Sequence, residues 1–236
     1  THELTLLKYD NTGNLIWARD IDTRAKWPTT NINKNYMKLD RWNNIYLLSQ
    51  IQSNSNSTDM MLAKYDPNGN LNWTSTWDSP SHDSDYTSGG FYVDEALAID
   101  LNGNAIVSGV TSDRTVQFRE DMITLKYDTA GNLLWSNVFN GIGNDEDRPY
   151  GLALDISGNA YLTGSSYFTS AIGDVDYITF KINGTTGIRD WSITYDGTAN
   201  FSDEAHAICV DSLNNVYITG WNAINRDPFD LHGEMA

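Results

Sequence analysis

Lys126-Tyr127-Asp128-Thr129-Ala130-Gly131-Asn132-Leu133-Leu134-Trp135 decides the fold, because the chain writes this step more than once. It reads Lys8-Tyr9-Asp10 to Trp17 and Lys64-Tyr65-Asp66 to Trp73, with a weaker copy from Lys181-Ile182-Asn183 to Trp191. Between these copies runs a second motif, Leu97-Ala98-Ile99-Asp100 to Ala105-Ile106-Val107-Ser108-Gly109. It recurs from Met37 to Ser49, from Leu152 to Gly164 and from Ile208 to Gly220. Short runs rich in β-branched and aromatic residues, broken by Asp, Asn and Gly, predict strands and hairpins. Each unit then holds four strands: two from the second motif, a third with the Lys-Tyr-Asp step and a fourth with the Trp. A unit of this length, made only of strand-like pieces, predicts a propeller or a related β-array.

The turns carry their own signal. Asp-x-x-Gly-Asn, as in Asp66-Pro67-Asn68-Gly69-Asn70, suits a type I turn followed by a left-handed residue. The Asp side chain takes backbone amides and Gly accepts positive φ. Asn43 and Asn214 stand where the other copies have Gly, and Asn is the next most tolerant residue.

The residues quoted above resemble the bacterial β-propeller repeat family called SBBP, over nearly all of Thr1 to Trp221. Asp176-Tyr177-Ile178-Thr179-Phe180-Lys181 and Gly141-Ile142-Gly143-Asn144-Asp145 fit its pattern closely. The first unit departs most, with Arg41-Trp42 in a turn and Gln50 where Gly is expected. The resemblance implies a propeller on secreted or surface-attached bacterial proteins, and it carries no family-wide catalytic residues.

The expected architecture is all-β, a propeller of four-stranded antiparallel blades in a single domain spanning residues 1–236. The chain starts on third and fourth strands and finishes, by Trp221, on first and second strands. Four blade-equivalents are therefore expected at 36–77, 92–139, 150–195, and 206–221 joined with 3–21, the last shared between the termini so that no strand edge is left free. The alternative is an arc of a larger propeller. Opening at Thr1 inside a strand pattern is expected of a processed protein or of a piece of a longer one.

A formal charge of −16 makes nucleic acid and anionic membrane surfaces poor partners. Other surface or secreted proteins and neutral glycans are the expected partners, within a larger assembly, and no direct membrane insertion is expected. Abundant Asn, Ser, Thr and Gly with scarce Lys suits a secreted or cell-surface bacterial protein. Cys209 is the only cysteine, so no internal disulfide is possible, and its place among the small residues Ala98 and Ala153 predicts a packed, inert thiol.

Trp17, Trp73, Trp135 and Trp191 share one register and are expected to pack between blades. The connections between second and third strands, and between one blade and the next, are long and share one face, where binding residues concentrate. Several are acidic. Asp145, Asp147, Asp83, Asp85 and Asp203 are the candidate ligands for a possible Ca2+, which takes six to eight oxygens, although no EF-hand spacing is present. Trp42 at a turn tip, Trp27 in the long first loop and Trp221 after the last strand are candidate partner-binding residues, with His206 at the mouth of an axial channel. Trp42 in particular is expected to mark a protein contact.

Catalysis has little support: there is no Gly-x-Ser-x-Gly, no His-Glu-x-x-His, no phosphate loop and no Cys-x-x-Cys. The expected function is a non-catalytic extracellular or cell-surface binding or scaffold module. The competing class is a glycan-active hydrolase or lyase on the long-loop face. A pair of carboxylates about 5–10 Å apart beside a sugar-sized groove would distinguish it.

Overall fold

The computed structural model describes residues 4–21, 35–52, 57–87, 95–112, 120–167, 175–198 and 201–223. Trp27 and the other residues of the long first loop lie outside them. The strands are antiparallel throughout. β1 (Leu4–Tyr9) and β2 (Leu15–Ile21) form one hairpin. β3 (Tyr36–Leu39), β4 (Ile45–Gln52), β5 (Thr58–Tyr65) and β6 (Leu71–Trp77) form a complete four-stranded sheet. In the next sheet the innermost strand comes in two pieces, β7 (Asp85–Tyr86) and β8 (Leu97–Ile99), both paired with β9 (Ala105–Ser112). β10 (Glu120–Tyr127) and β11 (Leu133–Phe139) complete it. β12 (Asp147–Leu154), β13 (Ala160–Tyr167), β14 (Val175–Ile182) and β15 (Arg189–Tyr195) form the third. β16 (Asp203–Val210) and β17 (Val216–Asn222) form a closing hairpin.

Consecutive sheets pack face to face, and the core lies between them because strand side chains alternate between two faces. Leu6 and Ile21 of the first hairpin meet Ile45, Leu47, Ala63 and Tyr65. Tyr46, Leu48, Met60 and Leu62 on the opposite face meet Leu97, Val107, Ile123 and Leu125. Ile106, Met122, Trp135 and Phe139 in turn meet Leu152, Leu162, Ile178 and Phe180. This is the propeller pattern: a row of blades, each buried by its two neighbours.

The turns follow the chemistry expected of them. At Asp10, Asp40, Asp66, Asp100, Asp128, Asp155 and Asp211, one carboxylate oxygen accepts the amides two and four residues on. The other accepts the Asn side chain four residues on. The left-handed position is filled by Gly13, Gly69, Gly103, Gly131 and Gly158, and by Asn43 and Asn214 at φ 64°. At Asp10, Asp66, Asp128 and Asp211 the bond from the Asn side chain holds the carboxyl below its ordinary range. Burial opposes this at Asp100 and Asp155, yet the bonds from Asn104 and Asn159 keep those two low as well.

A carboxyl with a lowered folded pKa contributes stability that is complete above its unfolded value and lost as pH falls through the folded one. The melting midpoint should therefore fall steeply below about pH 4. A melting series from pH 5 to pH 2 checks this, and a flat profile would mean that the turns do not hold the fold together.

Two expectations are corrected. The blade shared between the termini is not formed: among the described residues, β1 pairs only with β2 and β17 only with β16. The described residues form three complete sheets flanked by a hairpin of third and fourth strands at the start and one of first and second strands at the end. Cys209 is exposed rather than packed. Its slot on the innermost strand faces the following blade, and among the described residues no blade follows β16–β17.

Candidate functional site

The repeated Lys and Trp of the third and fourth strands lock one blade to the next. The Trp73 indole nitrogen donates to the Thr129 carbonyl at 3.0 Å, and that of Trp135 to the Gly184 carbonyl at 3.1 Å. Both rings lie on a glycine turn of the following blade. A β-carbon at Gly131 would sit 2.7 Å from the Trp73 ring, and one at Gly187 2.7 Å from the Trp135 ring. Trp17 meets Gly69 in the same way at 3.1 Å. The lysine of each unit reaches the same turn. Lys8 Nζ donates to the Pro67 carbonyl, Lys64 to Thr129 and Lys126 to Gly184, at 3.0, 3.3 and 2.8 Å. Lys126 also stands 3.0 Å from Asp100, both side chains buried, and Lys64 lies 4.9 Å from the centre of the Tyr46 ring. The conspicuous chemistry of the repeat is thus consumed in joining blades.

Among the described residues, the first turn receives no Trp, and the last Trp meets no following turn. Nothing lies within 4 Å of the position a β-carbon would take at Gly13, where the other copies seat a Trp. Trp191 is 39% exposed while Trp135 is 9% exposed. Tyr9 on β1 is 54% exposed, against 5% for its counterpart Tyr65, and Tyr217 on β17 is 56% exposed, against 0% for Tyr46. Leu7, Ile193 and Tyr195 are also exposed, and so is Trp221, which lies on this open edge of β17.

The acidic residues gather on the face of the long connections, at the junctions between blades. Asp59 at the start of β5, Asp78 just after β6 and Asp85 on β7 place one oxygen each within 4.8 Å of one another. Asp176, Asp196 and Asp203 do the same around β14, β15 and β16. The intermediate junction has Asp121, Asn140 and Asp147 at the matching positions. In all three, the amide of the residue after the fourth strand's acid or amide binds the last Asp: Ser79 to Asp85 at 2.7 Å, Gly141 to Asp147 at 2.6 Å, and Gly197 to Asp203. Burial pushes the Asp147 carboxyl up to about 6, with Asp121 and Asp145 adding to the rise against the Ser166 hydroxyl and the Gly141 amide. Burial raises Asp85 too, with the Asp59 charge adding to it.

Of the five residues picked as cation ligands, Asp85, Asp147 and Asp203 are junction residues, at three separate places rather than one centre. Asp83 joins neither triad, and Asp145 accepts the adjacent Glu146 amide at 2.9 Å. Asp59, Asp121 and Asp176 escape a loop-by-loop reading because they lie on third strands. Their sequence signal is a constant place, five residues before the repeat lysine. His206 is half-buried between blades, its Nε2 3.4 Å from Glu204 and its ring centre 5.6 Å from that of Tyr150. Trp42 lies against the Gly103 turn of the next blade, under Arg41, and stays 52% exposed.

Among solved structures, the chain is similar to the Dos1 propeller, with TM-score 0.51 and 13% identity over 92% of this chain and 48% of that one. It spans about half the length of that propeller. It is also similar to an endo-arabinase from Bacteroides thetaiotaomicron VPI-5482, with TM-score 0.45 and 14% identity over 86% of this chain and 76% of that one. No curated protein matches the chain in sequence. Residues 141–170 match the SBBP family, described as a beta-propeller repeat. That stretch covers the start of one blade, from the acidic junction through β12 and β13, and it is there that the chain matches the beta-propeller repeat.

Proposed function

We propose that this chain is a non-catalytic binding and scaffold propeller of the bacterial cell exterior, and that it joins a protein partner through its open blade edges. The partner is a second copy of the chain. The observation that carries this reading is the match between the two ends. β16–β17 is the inner half of a blade and β1–β2 the outer half. Applying the register of β4 with β5 and of β13 with β14 sets Val216 opposite Tyr9, Tyr217 opposite Lys8 and Ile218 opposite Leu7. Lys8 would then cover Tyr217 as Lys64 covers Tyr46, and Trp191 would reach the vacant turn at Gly13. An unpaired strand edge with exposed aromatics is costly to leave in water, and pairing removes it.

The contact is head-to-tail, so it closes if the rotation allows and otherwise continues as a filament. The composition, rich in Asn, Ser, Thr and Gly and poor in Lys, supports the exterior location.

Light scattering across a range of chain concentrations tests the reading. The expected result is a concentration-dependent mass above that of one chain. Leu7→Lys and Tyr217→Lys, both at exposed positions, should return it to a single chain with an unchanged melting midpoint. A single-chain mass at every concentration would overturn the proposal.

A further inference from the structure

The blade junctions hold more buried oxygen than their hydrogen bonds use. Asp85 Oδ1 is buried without a hydrogen bond of normal geometry while Oδ2 takes the Ser79 amide, and the residue is 0% exposed. One junction further on, Asp147 Oδ1 and Ser166 Oγ face each other, shut off from solvent, with no partner of normal geometry apart from one another. At the last junction Asp203 is used fully, its oxygens accepting the Gly197 and Ala223 amides, and the buried atom without a hydrogen bond is Oδ1 of the half-buried Asn222. These atoms are placed systematically. Thr111, Ser166 and Asn222 stand directly across the inner strand pair from Asp85, Asp147 and Asp203. Each junction therefore presents the inner-strand Asp, the third-strand Asp, an Asp or Asn after the fourth strand, and one neutral side-chain oxygen.

We propose that each of these three junctions binds one hard divalent cation, Ca2+ in the first instance. Asp59, Asp78, Asp85 and Thr111 serve the first, Asp121, Asn140, Asp147 and Ser166 the second, and Asp176, Asp196, Asp203 and Asn222 the third. Ca2+ sits about 2.3–2.6 Å from its oxygens, so ligands on opposite sides of one ion lie about 5 Å apart. The mutual distances of up to 4.8 Å within each Asp triad fit a single ion. The donors are all oxygen, which selects hard cations over zinc or copper. An ion there adds positive charge between carboxylates that lie close together.

Each ion would tie the end of one blade to the start of the next, on the face opposite the Lys and Trp locks. At the first hairpin the positions corresponding to Asp59 and Asp78 are Glu3 and Asp22, and both residues lie outside those described. The proposal concerns the three junctions among the described residues.

The chain is freed of metal with a chelator, then titrated with Ca2+ by calorimetry, and its metal content is measured. The expected result is up to three ions per chain and a melting midpoint that rises with Ca2+ and drops again with chelator. Asp85→Asn, Asp147→Asn and Asp203→Asn should each remove one ion. In chelator each variant should lose less stability than it does in Ca2+, because without the ion only the amide hydrogen bonds to the carboxylate are weakened. Asp78→Asn and Asp196→Asn, at exposed rim positions, provide the same test with little risk to folding. Absence of bound Ca2+ would overturn the proposal. So would an equal loss of stability with and without Ca2+, because the residues would then serve only as acceptors for the Ser79, Gly141, Gly197 and Ala223 amides.

Discussion

Trp135→Ala should lower the stability of the fold by about 3–5 kcal/mol, while Trp191→Ala should cost about 1 kcal/mol or less. The two residues share a register and a side chain and differ only in whether another blade packs over them. The Trp135 ring lies on the Gly187 turn and donates to the Gly184 carbonyl of the next blade. Among the described residues Trp191 meets no such turn; its ring lies 6.1 Å from that of Tyr161 and it is 39% exposed. Denaturant unfolding of the two variants at a concentration where the chain is alone decides the matter. Equal losses would show that these tryptophans act within their own blades and that the lock between blades contributes little.

Lys126→Met should be nearly as damaging, at about 3–5 kcal/mol. The ammonium stands 3.0 Å from Asp100 and 2.8 Å from the Gly184 carbonyl, with the Lys and Asp side chains both buried. Its removal leaves the Asp100 charge enclosed with only neutral donors. Restoring charge balance with a second change, Asp100→Asn, should return part of the loss, because the turn keeps a side-chain acceptor at that position. Lys8→Met, at an exposed lysine bound to a single carbonyl, should stay within about 0.5 kcal/mol. Thermal or denaturant melting measures all three. A large effect at Lys8 and a small one at Lys126 would mean that burial is not what makes this lysine matter.

The parts of the fold legible in the sequence are those written by local chemistry. The turn from Asp128 to Asn132 satisfies itself within five residues, so its residues predict it without knowledge of the neighbours. Trp73 and Trp135 are legible as packing residues because each copy repeats them in one register. The parts beyond reach depend on contacts between segments far apart in sequence. Asp85 is visible as an acidic loop residue, but its companions Asp59 and Asp78 come from the previous blade, and Asp59 sits inside a strand pattern that reads as apolar.

Cys209 shows the opposite error. Its register predicts burial correctly for a blade that has a successor, and among the described residues this hairpin has none. The ring closure expected from strand order has the same origin. Strand order states that the two ends are complementary, but not whether they meet within one chain. Among the described residues they stand as two separate hairpins.

Backbone amide hydrogen exchange in Leu4–Tyr9 and Val216–Asn222, measured as a function of chain concentration, tests the central claim most directly. If β17 of one copy pairs with β1 of another, protection in both segments should rise together as concentration increases. The amides of β4 and β13, interior to complete blades, should stay protected throughout. Fast exchange in both terminal segments at every concentration would contradict the account. Concentration-independent protection would contradict it equally, since the two edges would then be paired within a single chain.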